Sequence, residues 1–279
     1  MALINKTFKG RYQLRPDWGV KDRVKSLSVK ALDTQTDQVV VVKFVLDQAF
    51  WSSQHTQPDL KKLNHPNLLK YHSQGIEVFD LGSGMADCEV LVSEYVSGAP
   101  VSHHYARFAD LKFLTQVFRK IMSALGYLHK LGWVHGDVKS ANIFLFDNPG
   151  TGSADVKIMD LDNMLRAGEP QGLIRSTPEY AAPEIFVLGV LTDNTDWWSL
   201  GCVLYELLTR GNLPFGSRVK GQSYQDIRRR VLERQFREDG AIPVTCRSLI
   251  NVLLRLHEDV NLPTYVEIEN KLEQISPNR

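Results

Sequence analysis

The sequence predicts an α+β chain with a two-lobed outline: a strand-rich first third, then a larger and mainly helical part. Three stretches carry that expectation. Val39-Val40-Val41-Val42-Lys43-Phe44 is a β-branched run next to the polar stretch 33–38, the pattern of a buried strand. A second run, CEVLVSEYV at 88–96, stops at the turn-forming Ser97-Gly98-Ala99-Pro100. From Asp110 the apolar residues Leu111, Leu114, Phe118, Ile121, Leu125 and Leu128 step by three or four, which is helical spacing.

The later elements follow in the same way. Gly132 stops the first long helix. Two short strand-like runs come next, at 142–146 and 156–161. WWSLGCVLYELL at 197–208 is apolar almost all round, as for a helix buried in the middle of a lobe. From Tyr224 onward the spacing is helical again. No repeat, low-complexity tract or long Pro/Ser linker divides the 279 residues.

Composition narrows the function classes. Lys+Arg 33 against Asp+Glu 32 gives a net charge of +1, so no global electrostatic grip on nucleic acid or on an anionic membrane is expected. The apolar run 39–46 is broken by Lys43 and is far too short to span a bilayer. Residues 1–14 have no apolar core of signal-peptide length. Cys88, Cys202 and Cys246 are three sparse cysteines without CxxC spacing, so they read as buried thiols rather than a disulfide framework or zinc site. A reducing cytoplasm is the expected setting, with secretion that needs no cleaved signal left open.

The chemistry-bearing stretch is His135-Gly136-Asp137-Val138-Lys139-Ser140-Ala141-Asn142, between a helix and an apolar strand. Asp160 follows Ile158-Met159, and Ala182-Pro183-Glu184 and Asp196-Trp197-Trp198-Ser199-Leu200-Gly201 come further on. Singly, each residue has an ordinary structural role. Lys43 could be a strand lysine reaching to solvent, Asp160 a turn former, Asn142 a loop amide and Asp196 a helix N-cap. The basic run Arg228-Arg229-Arg230, with Arg234 and Arg237, reads as a solvated helix face, a docking patch for an acidic partner being the weaker reading.

Taken in order and at this spacing, the motifs resemble the eukaryotic-type serine/threonine protein kinase family over nearly the whole chain. The resemblance implies one kinase-like domain, with an N-lobe at 1–96, a hinge at 97–102 and a C-lobe at 103–279. It implies ATP and Mg2+ as cofactors and a Ser or Thr hydroxyl of a protein as acceptor. Lys43 would hold the α/β-phosphates, and Asn142 and Asp160 would hold magnesium. Asp137 would act as catalytic base, and Lys139 would steady the γ-phosphate beside Thr177. Val29 would roof the adenine, which the Glu94 carbonyl and Val96 amide would meet, with Ser93 as gatekeeper. Leu60, His135 and Leu161 would form part of an apolar stack, with His135 structural rather than basic. Asp196 would hydrogen-bond the backbone of the catalytic loop.

The chain also departs from the family pattern. Counting back from Val29, the glycine-loop places hold Asp22, Val24 and Leu27. No glutamate lies between Lys43 and Gly75, and the helix-C place falls on Thr56. Asp47 and Asp59 are the substitute partners considered for Lys43. The metal-binding triplet reads Asp160-Leu161-Asp162, where Asp for Gly is expected to stiffen the backbone. Leu262 stands where an arginine normally pairs with Glu184, and Gly136 stands for an arginine. Two readings therefore stand side by side, an active kinase and a pseudokinase acting as a binding or allosteric scaffold.

Overall fold

The computed structural model of the chain describes residues 7–23, 26–45, 58–80, 85–148, 153–169, 174, 176–256 and 262–276. They divide into two compact units, one containing residues up to 64 together with 68–97, the other containing 65–67 and everything from Gly98 on.

The first unit is built on one antiparallel sheet. Its strands are β1 (Thr7–Phe8), β2 (Tyr12–Leu14), β3 (Val20–Arg23), β4 (Ser26–Asp33), β5 (Gln38–Val45), β6 (Tyr71–Asp80) and β7 (Met85–Glu94). They run in the order β1-β2-β4-β5-β7-β6, with β3 also paired to β4. The two valine-rich runs thus form β5 and β7, adjacent strands of this sheet. On β4, Leu27, Val29 and Ala31 alternate inward and join Val40, Val42, Phe44, Val90 and Val92 in the core, as a strand with one packed face must. The hairpin β1–β2 is an element that the sequence reading does not identify. It adds Phe8, Tyr12 and Leu14 to the same core.

Asp33 organises the turn from β4 to β5. The Arg11 guanidinium donates to both of its oxygens, at 2.7 and 2.5 Å, and Gln35 N and the Thr36 hydroxyl donate at 3.1 and 2.9 Å. The carboxylate is 3% exposed.

The second unit carries short strands β8 (Ala99–Pro100), β9 (Trp133–Val134), β10 (Ile143–Asn148), β11 (Ser153–Ile158) and β12 (Leu165–Arg166). Its helices are α1 (Leu111–Lys130), α2 (Pro183–Val187), α3 (Asp193–Leu208), α4 (Tyr224–Leu232), α5 (Val244–Leu253) and α6 (Tyr265–Ile275). Asp110 caps α1 by accepting from Lys112 N and Phe113 N, and the predicted stripe from Leu114 to Leu128 is buried. Gly98 is sterically required, because a Cβ there would lie 2.4 Å from the Leu145 carbonyl oxygen. Helix α3 is buried on nearly every side. It starts earlier than the apolar run suggests, at a capping box formed by Thr192 and Thr195, so Asp196 lies one turn inside rather than at the cap. The three cysteines are buried. Among the described residues no helix is long and apolar enough to cross a membrane. On α4 and beyond, Arg228, Arg229, Arg234 and Arg237 are exposed, and Arg230 is half-buried.

The Arg11 bonds hold the Asp33 carboxyl well below the usual carboxylate range. A group whose native pKa is depressed contributes stability above its unfolded value, about 3.9, and loses it as pH falls through the native one. Asp33→Asn is therefore expected to unfold at lower urea than the parent protein at pH 7. The difference should narrow as pH is taken below 3, and urea titrations across that range check it.

Candidate active site

The catalytic-loop residues owe their geometry to Asp196, which is fully buried on α3. Its Oδ2 accepts from His135 N at 2.9 Å, and its Oδ1 accepts from Gly136 N at 2.9 Å. His129, in the last turn of α1, places Nε2 2.8 Å from the same carboxylate. His135 is itself fully buried. Its Nε2 lies 2.9 Å from the Met159 carbonyl, and its Nδ1 accepts from Asp137 N at 3.3 Å. Those partners place a proton on Nε2 and occupy both ring nitrogens within the fold, the structural role that the sequence reading expects. Gly136 has φ +74°, and a Cβ there would lie 3.2 Å from Leu191. The arginine common in the family would be strained at this position.

Asp137, Lys139, Asn142 and Thr177 form one network. Lys139 Nζ lies 2.5 Å from Asp137 Oδ2 and donates to Thr177 Oγ1 at 2.8 Å. Thr177 donates to Asp137 Oδ1 through its hydroxyl at 2.7 Å and its backbone N–H at 2.9 Å. Asn142 Nδ2 donates to the Asp137 carbonyl at 3.0 Å. With its amide nitrogen so engaged, Asn142 keeps Oδ1 as a hard oxygen donor.

Asp160 follows β11 with φ +58°, the left-handed conformation. Leu161–Asn163 then form a 3-10 turn, and Leu161 is fully buried. The left-handed residue of the triplet is Asp160, and Asp162 sits inside the turn with no positive φ. Asn142 and Asp160 supply an amide oxygen and a carboxylate, donors that suit Mg2+.

The segment that carries Thr177 is anchored to α3. Glu206 is 6% exposed and collects three hydroxyls: Tyr105 and Ser140 on Oε1 at 2.8 and 2.9 Å, and Tyr180 on Oε2 at 2.7 Å. Burial, with the Glu206 charge beside it, raises the Tyr180 hydroxyl far above its ordinary pKa. Glu179 is held by the Arg218 guanidinium at 2.9 Å. None of Tyr105, Glu206 and Arg218 belongs to a recognised motif, and a buried-helix glutamate opposite two tyrosines leaves no local sequence signal.

In the first unit the structure alters one expectation. Residues directly opposite on antiparallel strands share a face. Val29 stands opposite Val42, whereas Lys43 stands opposite Ser28 on β4 and Leu91 on β7. Val29 therefore lies on the face away from Lys43 and is fully buried in the core. A ring beside Lys43 would meet Ser28 and Lys30 on β4 instead. The miss comes from counting along the chain without the register. The Glu94 carboxylate accepts from Lys70 N at 2.8 Å, and the Glu94 carbonyl accepts from the Ser93 hydroxyl at 3.3 Å. Val96 is 9% exposed, and Leu60 is buried. Strands β3 and β4 pair as far as Arg23 opposite Ser26, which puts two of the glycine-loop places, Asp22 and Leu27, opposite each other, while Val24 lies outside the described residues. Thr56 and Asp47 lie outside the described residues. Asp59 lies 3.6 Å from Lys62 and 4.0 Å from Lys61.

Glu184 is not left without a cation by Leu262. Arg255, at the end of α5, donates to its Oε2 at 2.9 Å, and Thr195 donates to its Oε1 at 3.1 Å. Arg255 has φ +46° and stacks 5.0 Å from the Trp198 ring centroid. An arginine seven positions earlier thus does the work expected at 262. Both partners are nearly buried, so Arg255→Ala is expected to cost about 3 kcal/mol of stability, measurable by urea unfolding, with Arg255→Lys recovering part of it.

The protein kinase domain family matches residues 25–263. The chain is 32% identical over 237 residues to the serine/threonine-protein kinase SIK1 of Mus musculus and to that of Rattus norvegicus, covering 83% of this chain and 28% of each relative. It is 32% identical over 198 residues to the serine/threonine-protein kinase SIK2 of Gallus gallus, covering 70% of this chain and 23% of that relative. The chain thus spans about a quarter of the length of these curated relatives. Residues 25–263 take in both units, the sheet and the network around Asp137 alike, and the chain belongs to the protein kinase domain family, with its α+β, two-lobed fold.

Proposed function

We propose that the chain is an ATP- and Mg-dependent serine/threonine protein kinase, acting as one domain with an N-lobe at 1–96, a hinge at 97–102 and a C-lobe at 103–279. The observation that carries this reading is the network in which Asp137 is held by Lys139, Asn142 and both donors of Thr177. A scaffold has no chemical reason to retain that arrangement along with Lys43 and Asp160. The relatives' printed names point to the same acceptor class.

Phosphoryl transfer is mainly a matter of positioning and charge neutralisation. Asp137 would orient the acceptor hydroxyl and take its proton as the oxygen–phosphorus bond forms and the bond to the ADP leaving group breaks. Lys139 would remain beside Asp137 and offer a positive charge to the transferring phosphoryl group. Thr177 would hold both in register and place the substrate-facing segment against the base. Asn142 Oδ1 and the Asp160 carboxylate would hold magnesium, which neutralises charge on the β- and γ-phosphates. In the first unit, Lys43 would hold the α/β-phosphates, and the Glu94 carbonyl and Val96 amide would present the adenine edge with its partners. A protein Ser or Thr side chain is the acceptor on this reading.

Incubation with labelled ATP and Mg2+, alone and with generic protein substrates, is expected to put label on Ser or Thr. Asp137→Asn should lower kcat by about 10³-fold while Mg-ATP affinity stays within a few-fold. Undiminished transfer in that variant would overturn the role of Asp137. Absence of label from a folded parent protein that still binds partners would favour the scaffold. Asp160→Asn is expected to abolish the magnesium dependence of ATP binding, read by titrating nucleotide with and without the metal.

A further inference from the structure

Three apolar side chains of the second unit stay in water where two of its helices touch. Val187 closes α2 and Leu188 follows it, 64% and 68% exposed, and Tyr224, which opens α4, is 45% exposed. The Phe186 and Tyr224 rings join the two elements edge to face, with centroids 5.9 Å apart. Single exposed apolar residues are ordinary, but adjoining ones with a polar rim mark contact surfaces. Both elements are also anchored. Leu188 N donates to the Glu184 carbonyl at 2.9 Å, and the Glu184 side chain is held by Arg255 and Thr195. Helix α4 begins at a capping box in which Ser223 and Asp226 bond each other. A surface already fixed in place loses little freedom when a partner arrives.

The rim is basic, and its cations are all arginine. Residues 228–237 read RRRVLERQFR, with five arginines, one glutamate and no lysine. Arg228 is exposed and lies one turn from Tyr224, so the two are neighbours on α4. Arg229 pairs with Asp226 at 3.5 Å, whereas Arg228, Arg230, Arg234 and Arg237 form no ion pair among the described residues. The carboxylates close to the run in sequence have other bonds. Asp226 serves the cap, Glu233 accepts from Gln235 Nε2 at 2.7 Å, and Asp239 accepts from Ala241 N at 2.9 Å. A guanidinium pairs with a carboxylate through two parallel bonds and is less strongly hydrated than an ammonium. Arginine and tyrosine are accordingly enriched in protein interfaces, where lysine is depleted. An anionic bilayer fits less well, because α4 turns its apolar Ile227 and Val231 into the core and has no apolar face to lay on lipid.

We propose that Val187, Leu188, Tyr224 and the arginines beginning at Arg228 dock an acidic segment of a partner protein, one in which carboxylates are interspersed with apolar side chains. The apolar residues take the segment's apolar side chains and the arginines its carboxylates. None of these residues belongs to the Asp137 network, so the proposal stands or falls independently of the kinase reading. The full chain is titrated into a fluorescent random copolymer of glutamate and tyrosine at physiological salt, beside polyglutamate of the same length. The copolymer is expected to bind the more tightly. Arg228→Glu and Leu188→Ser should each weaken it about tenfold, the loss of one interface anchor, with unchanged urea-unfolding midpoints. Should Leu188→Ser lower its midpoint, Val187→Ser takes its place. Arg247→Glu, at an exposed arginine of α5, should leave the affinity as it is. No binding of the copolymer, equal losses from Arg247→Glu and Arg228→Glu, or equal binding of polyglutamate would each overturn the proposal. So would a dimer in sedimentation that Leu188→Ser dissolves, which makes the occupant a second copy. Binding to phosphatidylserine vesicles that Arg228→Glu abolishes, with none to the copolymer, would assign the surface to a membrane instead.

Discussion

The buried carboxylate of Asp196 is the constraint on which the second unit depends. A charge with no exposed surface costs several kcal/mol to bury unless its lone pairs are filled. Here they are filled by two consecutive backbone N–H groups and the His129 ring. Because His135 N and Gly136 N have no alternative partner in a regular element, the carboxylate dictates where the loop turns. The turn sets the direction of Asp137 two residues later. Asp137 is thus positioned from a helix buried on almost all sides, which is stiffer support than a loop could provide alone.

A second carboxylate on the same helix completes the arrangement from the other end. Ten positions along α3, Glu206 ties Ser140 of the catalytic loop and Tyr180 of the Thr177 segment to one pair of oxygens. Loop and segment are therefore referred to one rigid element at two points, and the Asp137–Thr177 bonds close the circuit between them. Gly136 in turn has a left-handed backbone and a tight approach to Leu191, where an arginine able to read a phosphate on that segment would be strained. The Thr177 hydroxyl is already engaged with Asp137 and Lys139.

The sequence made the fold class and the loop chemistry legible because both are written locally. Valine runs, the i, i+3, i+4 stripe of α1 and the motif from His135 to Asn142 each lie within one element. What it hid depends on pairing. Val29 is placed by strand register, which flips every side chain for a one-residue error in counting. Arg255 reaches Glu184 from an irregular helix end with positive φ, a conformation that no motif encodes. The left-handed residue of the Asp160-Leu161-Asp162 triplet is the first, a backbone choice that the sequence does not mark. Asp196 has the composition of an N-cap, yet the box formed by Thr192 and Thr195 displaced it by a turn.

The antiparallel pairing of β3 with β4 bears on how phosphate charge would be met. Strands paired down to Arg23 opposite Ser26 direct their inter-strand amides into the ladder. A phosphate cradle needs amides free to converge on an anion. On the reading proposed above, phosphate binding by the first unit would rest less on backbone dipoles and more on the point charge of Lys43. Point charges are indifferent to backbone shape but sensitive to their own counter-ions. A chain that gives up the glycines can keep binding phosphate if the lysine is rigidly held and the metal donors are intact. Those are the positions retained here.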